Sequence, residues 1–558
     1  MTSFAEATQR VRPPRRTYTF SAPPEVADST VHHVPIIIVG AGPIGLAMGA
    51  ELAQNGVQSI ILERDNTSSN RSRAVCWSKR TLEILDRLGI AERMLSKGVT
   101  WNVGKVFCGT ATEPLYTFDL LPLKEQQFPA FSNLQQYYTE EFLVDSLADS
   151  KFTYIRWSNS VTGVTQYPDY VEVTIDTPEG QYFLRSDYLL AADGAYSPIR
   201  QMLGLDFDGR TFEDNFLIVD FKMQATLPAE RRFFFNAPFN AGRTALMHRQ
   251  PDDVWRLDFQ LGWNIDREAA LDEEAVTAKI RAVIGDDVPF QYEWISIYTF
   301  QCRRMERFVH DRVIFLGDAA HLVSPFGARG ANGGIQDVDN LGWKLAHVLR
   351  KQSPRTLLES YDVERLHAAD ENIRNSTRAT DFMTPKTPVE LALRDAVLEL
   401  TADYPFARAL VNSGRLSVPC SLEHSPLITA DSNGFNTPGM WPGTVALDAP
   451  IQSARGNRWL MRELGRQFVC LVFAEKISAG DLAQLPRDIA FKVISNHSTS
   501  RVDDIDDVQG LVATRYDGTP GTTYLIRPDQ HIAARWRHFD VSAIITAWQR
   551  SLGQQSSS

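Results

Sequence analysis

The feature of this sequence that most constrains its fold is a segment that predicts a strand, a glycine-rich turn, a helix and a second strand. Residues 34–39, VPIIIV, form a run typical of a strand buried on both faces, and residues 46–54 have helical character. Between them, residues 40–45, GAGPIG, match the pattern G-x-G-x-x-G, and Glu63 follows about 20 residues later. This context predicts a parallel α/β fold that binds a dinucleotide.

Each glycine in this turn has a physical function. Gly40 permits the tight turn, Gly42 lets the backbone approach a pyrophosphate, and Gly45 lets helix and strand pack closely. The pyrophosphate is expected at the helix N-terminus, where free N–H groups and the helix dipole favour an anion. The acid that ends the second strand is expected to accept hydrogen bonds from the adenosine ribose. The predicted contacts are Gly40, Gly42, Pro43, Ile44, Gly45, Glu63 and Arg64.

Composition narrows the functional classes. A net charge of -11 argues against a nucleic-acid partner, because phosphate binding leaves a basic footprint. No run approaches the roughly 18 apolar residues of a membrane span, and the first 33 residues lack the apolar core of a signal peptide. The 5 cysteines form no C-x-x-C pair, which is typical of reduced thiols, and no metal site is predicted. We therefore expect a cytoplasmic protein without a membrane span.

Two segments downstream distinguish between the dinucleotides. Residues 192–200, ADGAYSPIR, resemble the D-G-x-x-S-x-[IV]-R segment of the para-hydroxybenzoate hydroxylase-like, single-component FAD-dependent aromatic hydroxylases. Residues 317–345 run from GDAAH through Pro325, Gly330 and Asn332 to WKL, and they resemble the same family's second FAD signature. Smaller matches are RSRA at 71–74 and the Q-x-x-x-E-x-x-L pattern at 136–143. The resemblance covers about residues 35–374 and implies FAD as the cofactor.

The resemblance adds a second group of expected FAD contacts. A carboxylate at residue 318 follows a buried strand, where open α/β folds bind ligands, and it suits ribityl hydroxyls; a plain helix N-cap is the alternative. Backbone N–H groups before the long helix are expected at the flavin's pyrimidine edge, where the positive helix end stabilises anionic reduced flavin. The expected contacts are Arg73, Gln136, Asp193, Gly194, Asp318, Pro325, Gly330, Ala331 and Asn332.

The family's chemistry implies that NADH or NADPH reduces FAD and that dioxygen then forms a C4a-hydroperoxide, which hydroxylates a small phenolic ring. The expected catalytic residues are His248, Tyr298 and Pro325, and the expected substrate contacts are Arg243, His248, Phe326 and Arg329. The alternative to a catalytic or substrate role for residues 243, 248 and 298 is that they lie exposed on the outer face of the sheet. Arg329 departs from the glycine/glutamine loop of many relatives, and we expect it to position the flavin or to bind an acidic group on substrate or nicotinamide.

Other activities on the same scaffold are a Baeyer–Villiger or epoxidising monooxygenase and a flavin reductase. Two-domain reductases usually carry a second nicotinamide-binding G-x-G-x-x-G unit, and this sequence has none. The W-x-W-x-I-P segment of flavin halogenases is also missing. A non-catalytic flavin-binding protein is a further alternative, which substrate-stimulated NAD(P)H oxidation would separate from an enzyme.

The predicted architecture is an FAD-binding Rossmann-like parallel sheet with an inserted, mostly antiparallel substrate-binding sheet. The C-terminal unit resembles the thioredoxin-like domain of the family's phenol-hydroxylase branch, and this resemblance implies a C-terminal thioredoxin-like α/β domain. A homodimer is the expected assembly. The predicted boundaries are an N-terminal tail at 1–33, an FAD domain at 34–209 and 306–385 with 101–135 contributing to the substrate region, a substrate sheet at 210–305, a helical segment and linker at 386–454, a thioredoxin-like domain without C-x-x-C at 455–552, and a disordered tail at 553–558.

Overall fold

A computed structural model provides the coordinates for most of the chain. It describes residues 15–28, 30–68, 74–224, 227–240, 242–411, 418–431, 434–436, 439–456, 458–473, 477–495 and 504–554. Arg73, a predicted FAD contact, lies outside these residues, as do 1–14 and 555–558 of the predicted tails.

The first sheet confirms the predicted α/β class. Within the described residues it has eight strands, and His32–Val39 lies near its centre. This strand pairs in parallel with Ser59–Glu63 on one side and Gly180–Ala191 on the other. Its isoleucines at 36–38 are fully buried, as a strand covered on both faces requires. The remaining strands are Thr153–Trp157, Ser160–Gln166, Val171–Thr177, Val309–His310 and Val313–Phe315.

The second sheet is antiparallel except where Val103–Cys108 pairs in parallel with Arg231–Phe235. Its outer face is covered by the helix Glu273–Ile284, whose Val276 and Ile280 are buried against it. Strands from the 101–135 stretch belong to this sheet. In the described part of the chain its strands are Val103–Cys108, Tyr116–Asp119, Asp208–Lys222, Arg231–Phe235, Thr244–Arg249, Val254–Gly262, Gln291–Arg304 and His321–Leu322.

The long helix Gly330–Leu349 contains the WKL segment near its C-terminal end. Glycines at its start hide the helical pattern, but the packing requires them. A Cβ on Gly334 would lie 2.6 Å from the Cδ1 atom of Ile44, so this helix and the helix Pro43–Gln54 approach closely only because residue 334 lacks a side chain.

The other helices surround the two sheets and the C-terminal unit. No helix in the part of the chain that the structure describes is long and apolar enough to cross a bilayer. The helices are Pro24–Asp28, Lys79–Arg87, Ala91–Lys97, Gln136–Leu147, Pro198–Met202, Arg267–Leu271, Glu359–Met383, Pro388–Thr401, Pro405–Val411, Ala479–Leu482, Leu511–Tyr516 and Val541–Ser551. Short 3-10 turns lie at Pro238–Asn240, Gly317–Ala319, Arg355–Leu358 and Leu460–Arg462.

The described part of the predicted N-terminal tail packs on the first sheet. Tyr18 stacks on Trp157 with a centroid distance of 4.0 Å, and the buried carboxylate of Glu25 pairs with Arg156 at 3.0 Å. The sheet itself begins at His32, two residues before the predicted boundary. Ring stacking and an ion pair with a buried carboxylate therefore hold this segment in place.

The C-terminal unit contains a third sheet whose central strand, Phe468–Phe473, is parallel to Ile489–Ser495 and antiparallel to Thr523–Ile526. The thioredoxin-like assignment of this unit stays a prediction. The other strands of this sheet that the structure describes are Gln452–Ser453, Asp504–Asp506 and Ile532–Trp536, and a small separate sheet is formed by Cys76–Ser78, Val99–Trp101 and Phe131–Asn133.

A buried ionic network joins the C-terminal unit to the long helix. Lys344 donates to Glu364 at 2.7 Å, and Arg527 from the C-terminal unit donates to the same carboxylate at 3.0 Å. All three side chains are fully shielded from solvent. Breaking such a pair leaves an uncompensated buried charge, which costs about 3–5 kcal/mol, so the two units are energetically coupled.

Candidate active site

The glycine-rich turn forms an open anion cradle at a helix N-terminus. A Cβ on Gly40 would lie 2.6 Å from the carbonyl oxygen of Ala192, and a Cβ on Gly45 would overlap the carbonyl oxygen of Gly40. Gly42 is the opposite case, because a Cβ there would have nothing within 4 Å in the described structure. The helix begins at Pro43, and no side chain caps it. The N–H groups of its first turn can therefore bind a pyrophosphate.

Glu63 ends its strand beside this turn, where the fingerprint predicts it. Its Oε2 atom accepts a hydrogen bond from the Ala41 N–H at 2.7 Å, and its Oε1 atom accepts one from the Asp65 N–H at 3.0 Å. Burial raises the pKa of this carboxyl group. Arg64 follows it but is largely exposed, with its nearest acidic partner Asp65 at 3.9 Å. Glu63 therefore fixes the turn's shape and leaves lone pairs for ribose hydroxyls.

The segment after the strand Gly180–Ala191 lies next to the same turn. The Oδ2 atom of Asp193 accepts a hydrogen bond from the Ile199 N–H at 3.0 Å, whereas its buried Oδ1 atom has no partner in the described structure. Gly194 has a φ of +83° and open space on its Cβ side. A buried carboxylate oxygen without a donor is costly, so a bound hydroxyl or N–H group would stabilise this position.

Gln136 begins its helix close to the segment that precedes Cys76. Its Oε1 atom accepts a hydrogen bond from the Ala74 N–H at 3.1 Å, and its amide group donates to Glu140 at 2.8 Å. The structure therefore gives Gln136 a local role in ordering the chain beside the cradle.

A second cradle is formed by Asp318 and the N-terminus of the long helix. Asp318 is half-buried on the 3-10 turn Gly317–Ala319, directly after the strand Val313–Phe315. Gly330, Ala331 and Asn332 form the first turn of the helix, so their backbone N–H groups have no partner within the helix. The turn and the helix end meet through Asp337, which accepts a hydrogen bond from the Gly317 N–H at 2.9 Å.

The side chain of Asn332 is occupied within the protein. Its Oδ1 atom accepts hydrogen bonds from the Ser78 N–H at 3.0 Å and the Thr81 hydroxyl at 2.6 Å, and its Nδ2 atom donates to the Cys76 carbonyl at 2.9 Å. Asn332 therefore fastens the strand Cys76–Ser78 to the helix, and a cofactor contact from this residue would come from its backbone.

His321 is a structural histidine. It is 2% exposed and its Nε2 atom lies 2.8 Å from Asp337, which also pairs with Arg365 at 2.6 Å. These partners lower the pKa of Asp337 against the opposing effect of its burial.

The loop that joins Asp318 to the long helix carries Pro325, Phe326 and Arg329, and Phe326 packs against the second sheet. Pro325 is exposed at a turn closed by the Ala328 N–H, which donates to its carbonyl at 3.0 Å. Arg329 is 5% exposed, and a Cβ on Gly327 would overlap its guanidinium group, so the arginine folds back over the loop. This position supports an effect of Arg329 on loop shape.

The face of the second sheet that points toward this loop, called the inner face, is arranged in cross-strand rows. Its aromatic row contains Phe216, Phe235 and Tyr298, because residues 216 and 298 are register partners. Phe326 packs on this row with a centroid distance of 5.2 Å to Phe216 and 5.3 Å to Phe300. The rings form an apolar wall between sheet and loop.

A charged row lies on the inner face four residues away along the strands. His248 is the register partner of Arg256, and Arg256 is the partner of Asp220. Arg256 and Asp220 form a bidentate pair at 2.7 and 2.8 Å. His248 is 3% exposed with no hydrogen-bond partner at either ring nitrogen among the described residues. Burial first, and then the nearby guanidinium groups, lower its pKa well below 6.5, so the ring is neutral.

The structure does not bring Arg243 to this face. It is exposed in the turn before Thr244–Arg249 and lies beside Gly262 and Lys279. Sequence reasoning also missed two residues of the inner face, Arg231 and Asp258. Alternation within their strands would have placed them with His248, but only the strand pairing shows that the three strands are neighbours.

Outside these cradles, three side chains with atoms that could bind a metal ion lie close together, although they are not linked by a sequence motif. The ligand atoms of His367, Glu371 and Cys420 lie within 4.8 Å of one another. Residues 367 and 371 share a helix face at the i, i+4 spacing, whereas Cys420 comes from a distant segment. No spacing motif could have predicted this group.

Comparisons with known proteins agree with this geometry. Residues 33–376 match the FAD binding domain family. The 3-(3-hydroxy-phenyl)propionate/3-hydroxycinnamic acid hydroxylase of Burkholderia cenocepacia (strain HI2424) is 28% identical over 560 residues, covering 93% of this chain and 97% of that protein. The rifampicin monooxygenase of Streptomyces venezuelae is 32% identical over 367 residues, covering 65% of this chain and 75% of that protein.

Solved structures show the same fold. The crystal structure of the flavin-dependent monooxygenase PieE in complex with FAD and substrate superposes with a TM-score of 0.76 at 22% identity, covering 94% of this chain and 99% of that one. At this level of identity the likeness concerns the fold, and it includes the C-terminal unit.

Proposed function

This chain belongs to the FAD binding domain family of flavoprotein monooxygenases, and from that premise we propose that it hydroxylates a small phenolic compound with NADH or NADPH and dioxygen. The observation that carries the proposal is the inner face. An aromatic wall and a charged row lie on one sheet surface, and Phe326 from the loop that joins Asp318 to the long helix packs against the aromatic wall. This is the arrangement that an aromatic ring with a polar substituent requires.

The residues of the cradles fit FAD. We infer that the turn at Gly42 binds the pyrophosphate, that Glu63 binds the adenosine ribose, and that Asp318 binds ribityl hydroxyls. The first-turn N–H groups of Gly330–Leu349 would hold the pyrimidine edge, where a helix N-terminus stabilises negative charge. Bound FAD supplies the redox chemistry, accepting hydride from the nicotinamide and activating dioxygen.

The chain's contribution to the reaction is binding, orientation and exclusion of water. Phe216, Phe300 and Phe326 form a dry wall, which limits loss of activated oxygen to solvent. Tyr298 at the aromatic row and His248 in the charged row are the proposed polar contacts of the substrate. Pro325, exposed on its loop, is proposed to lie near the flavin's reactive edge.

Oligomeric state, cellular location and the role of the C-terminal unit complete the proposal. We infer a homodimer in the cytoplasm in which the nicotinamide binds transiently. The unit at 455–552 is proposed to be thioredoxin-like in fold and structural in role. Its Cys470 is fully buried, and burial raises the pKa of that thiol, which does not suit dithiol exchange.

Stopped-flow absorbance of the FAD-loaded protein with NADH and NADPH, with and without a panel of phenols and hydroxybenzoates, tests the function. We expect one aromatic to accelerate flavin bleaching and to appear as a hydroxylated product in oxygen. A yellow protein whose reduction ignores every aromatic favours a reductase instead. A protein that cannot bind FAD contradicts the proposal at its base.

A further inference from the structure

Three polar side chains on adjacent strands of the inner face have buried polar atoms that make no hydrogen bond within the described structure. Arg231 is 6% exposed, and its only polar contact among the described residues is the Cys76 Sγ atom at 3.9 Å. His248 makes no hydrogen bond, and the buried Oδ1 atom of Asp258 makes none either. The register that pairs residues 232 and 247 places 231 opposite 248, and Asp258 lies one row further along.

The neighbouring ion pair shows that this lack of partners is local. Arg256 and Asp220 lie in the same row, and they satisfy each other through two hydrogen bonds with support from Gln250 at 3.1 Å. A buried polar group without a partner costs about 1–3 kcal/mol, and an unpaired guanidinium costs more. Three such groups side by side are expected where a ligand supplies the missing partners.

The hydrogen-bonding capacity of the three groups identifies that ligand. Arg231 only donates, ionised Asp258 only accepts, and neutral His248 does both. A carboxylate can only accept, so it would pair with Arg231 but would leave Asp258 unsatisfied and facing a like charge. A phenolic hydroxyl has one hydrogen and two lone pairs, so it can donate to Asp258 while it accepts from Arg231 and from one ring N–H of His248.

Resting on the proposed function, we propose that Arg231, His248 and Asp258 form the subsite for the substrate's phenolic hydroxyl, with Asp258 as its proton acceptor. The rows of the inner face are spaced by two residues, roughly 7 Å. A ring whose hydroxyl lies at this subsite extends past Leu246 toward the aromatic row and Phe326. The subsite thus sets which end of the substrate points away from the loop.

The proton step balances within the subsite. The phenolic O–H bond breaks, the proton bonds to the free Oδ1 atom of Asp258, and the phenolate oxygen is stabilised by the guanidinium of Arg231. Burial raises the pKa of Asp258 to about 6, and Arg256 and Arg231 oppose that effect. A carboxylate with this pKa is ionised at neutral pH and is a stronger base than an exposed one. The charged and titratable groups that face it are Arg231, His248, Arg256, Asp220 and Cys76.

The sign of the pH dependence follows from this arrangement. Below about pH 6 Asp258 is protonated and cannot accept the phenolic proton, so phenol affinity and turnover rise as pH increases through about 6. Asp258→Asn removes the titrating group, and we expect it to flatten that rise while lowering turnover at pH 8 at least tenfold. The exposed carboxylate Asp253 on the same hairpin provides the control, since Asp253→Asn keeps the rise.

Ligand binding to the FAD-loaded protein tests the subsite without turnover. Phenol, its methyl ether anisole, and benzoate are titrated while the flavin absorbance is followed. We expect phenol to bind at least tenfold more tightly than anisole, and Asp258→Leu to reduce that preference to less than threefold. Arg231→Met should weaken phenol binding at least tenfold, whereas its neighbour on the opposite face, changed as Arg232→Met, should not.

The outcomes separate this inference from the proposed function. If phenols accelerate flavin reduction but Asp258→Leu and Arg231→Met keep the wild-type preference, the subsite is wrong and the hydroxylase stands. If phenol binds with the expected preference but accelerates no reduction, the hydroxylase proposal fails while the subsite stands. Tighter binding of benzoate than of phenol overturns the phenolic assignment. Weakened FAD binding in Arg231→Met would assign that arginine to the cofactor and also overturn the proposal.

Discussion

Gly42→Ala should separate the fold of the nucleotide turn from its binding function. Gly42 has φ -72° and ψ 178°, which alanine adopts without strain, and the added Cβ would have nothing within 4 Å in the described structure. The cofactor-free protein should therefore keep its stability or gain about 0.4–1 kcal/mol, because alanine restricts the unfolded chain. FAD affinity should nevertheless fall, because the methyl group occupies the space through which backbone N–H groups reach the pyrophosphate.

The expected loss of FAD affinity can be calculated from the strength of a single hydrogen bond. A hydrogen bond to a charged group contributes about 1.5–3 kcal/mol, so losing one raises the Kd for FAD roughly 10- to 150-fold. Urea unfolding of the apoprotein and fluorescence titration with FAD measure the two effects separately. Gly45→Ala is the contrasting variant, since its Cβ would overlap the Gly40 carbonyl and should impair folding itself. If Gly42→Ala binds FAD as the wild type does, the pyrophosphate does not lie at this turn.

Other parts of the molecule give further expectations. Asp337→Asn should lower the free energy of unfolding at pH 7 by about 3–5 kcal/mol. Because folding lowers the pKa of Asp337, its contribution is present above about pH 4 and is lost as pH falls, so the urea midpoints of variant and wild type should converge in acid. Arg527→Met should destabilise the protein by about 3–5 kcal/mol by leaving Glu364 underpaired; an unchanged melting temperature would show that the C-terminal contact is dispensable. Phe326→Ala should lower the free energy of unfolding by about 3–5 kcal/mol and raise the ratio of NAD(P)H consumed to product formed. An unchanged ratio in this variant would argue against the proposal that the aromatic wall excludes water. Arg329→Ala should alter flavin reduction or coupling, and unchanged values would remove Arg329 from the site.

The nucleotide half of the site was predictable because its determinants are local. The residues from Val34 to Glu63 form one strand–turn–helix–strand unit, and each glycine acts on atoms within that unit or on the adjoining strand. The substrate half depends on which strands become neighbours. Arg231, His248 and Asp258 lie in one group only because three strands pair with the register shown here, and hairpin pairing of that kind is not encoded in the spacing of residues. For the same reason, the sequence alone did not show that Arg243, a predicted substrate contact, lies in a turn away from this group.

The signature that identified the long helix also contains residues whose role is mechanical. Asp337 holds the Gly317 N–H and Arg365, while Asn340 and Lys344 bind the Glu364 carboxylate that Arg527 also binds. These polar side chains are buried about two to four turns beyond the helix end at the proposed flavin cradle. A movement of the C-terminal unit would therefore act through Glu364 on the helix Gly330–Leu349, and this helix would carry the movement to its N-terminus. These side chains fix where the helix end lies, and the position of that end sets how well its N–H groups can meet the flavin that we propose they hold.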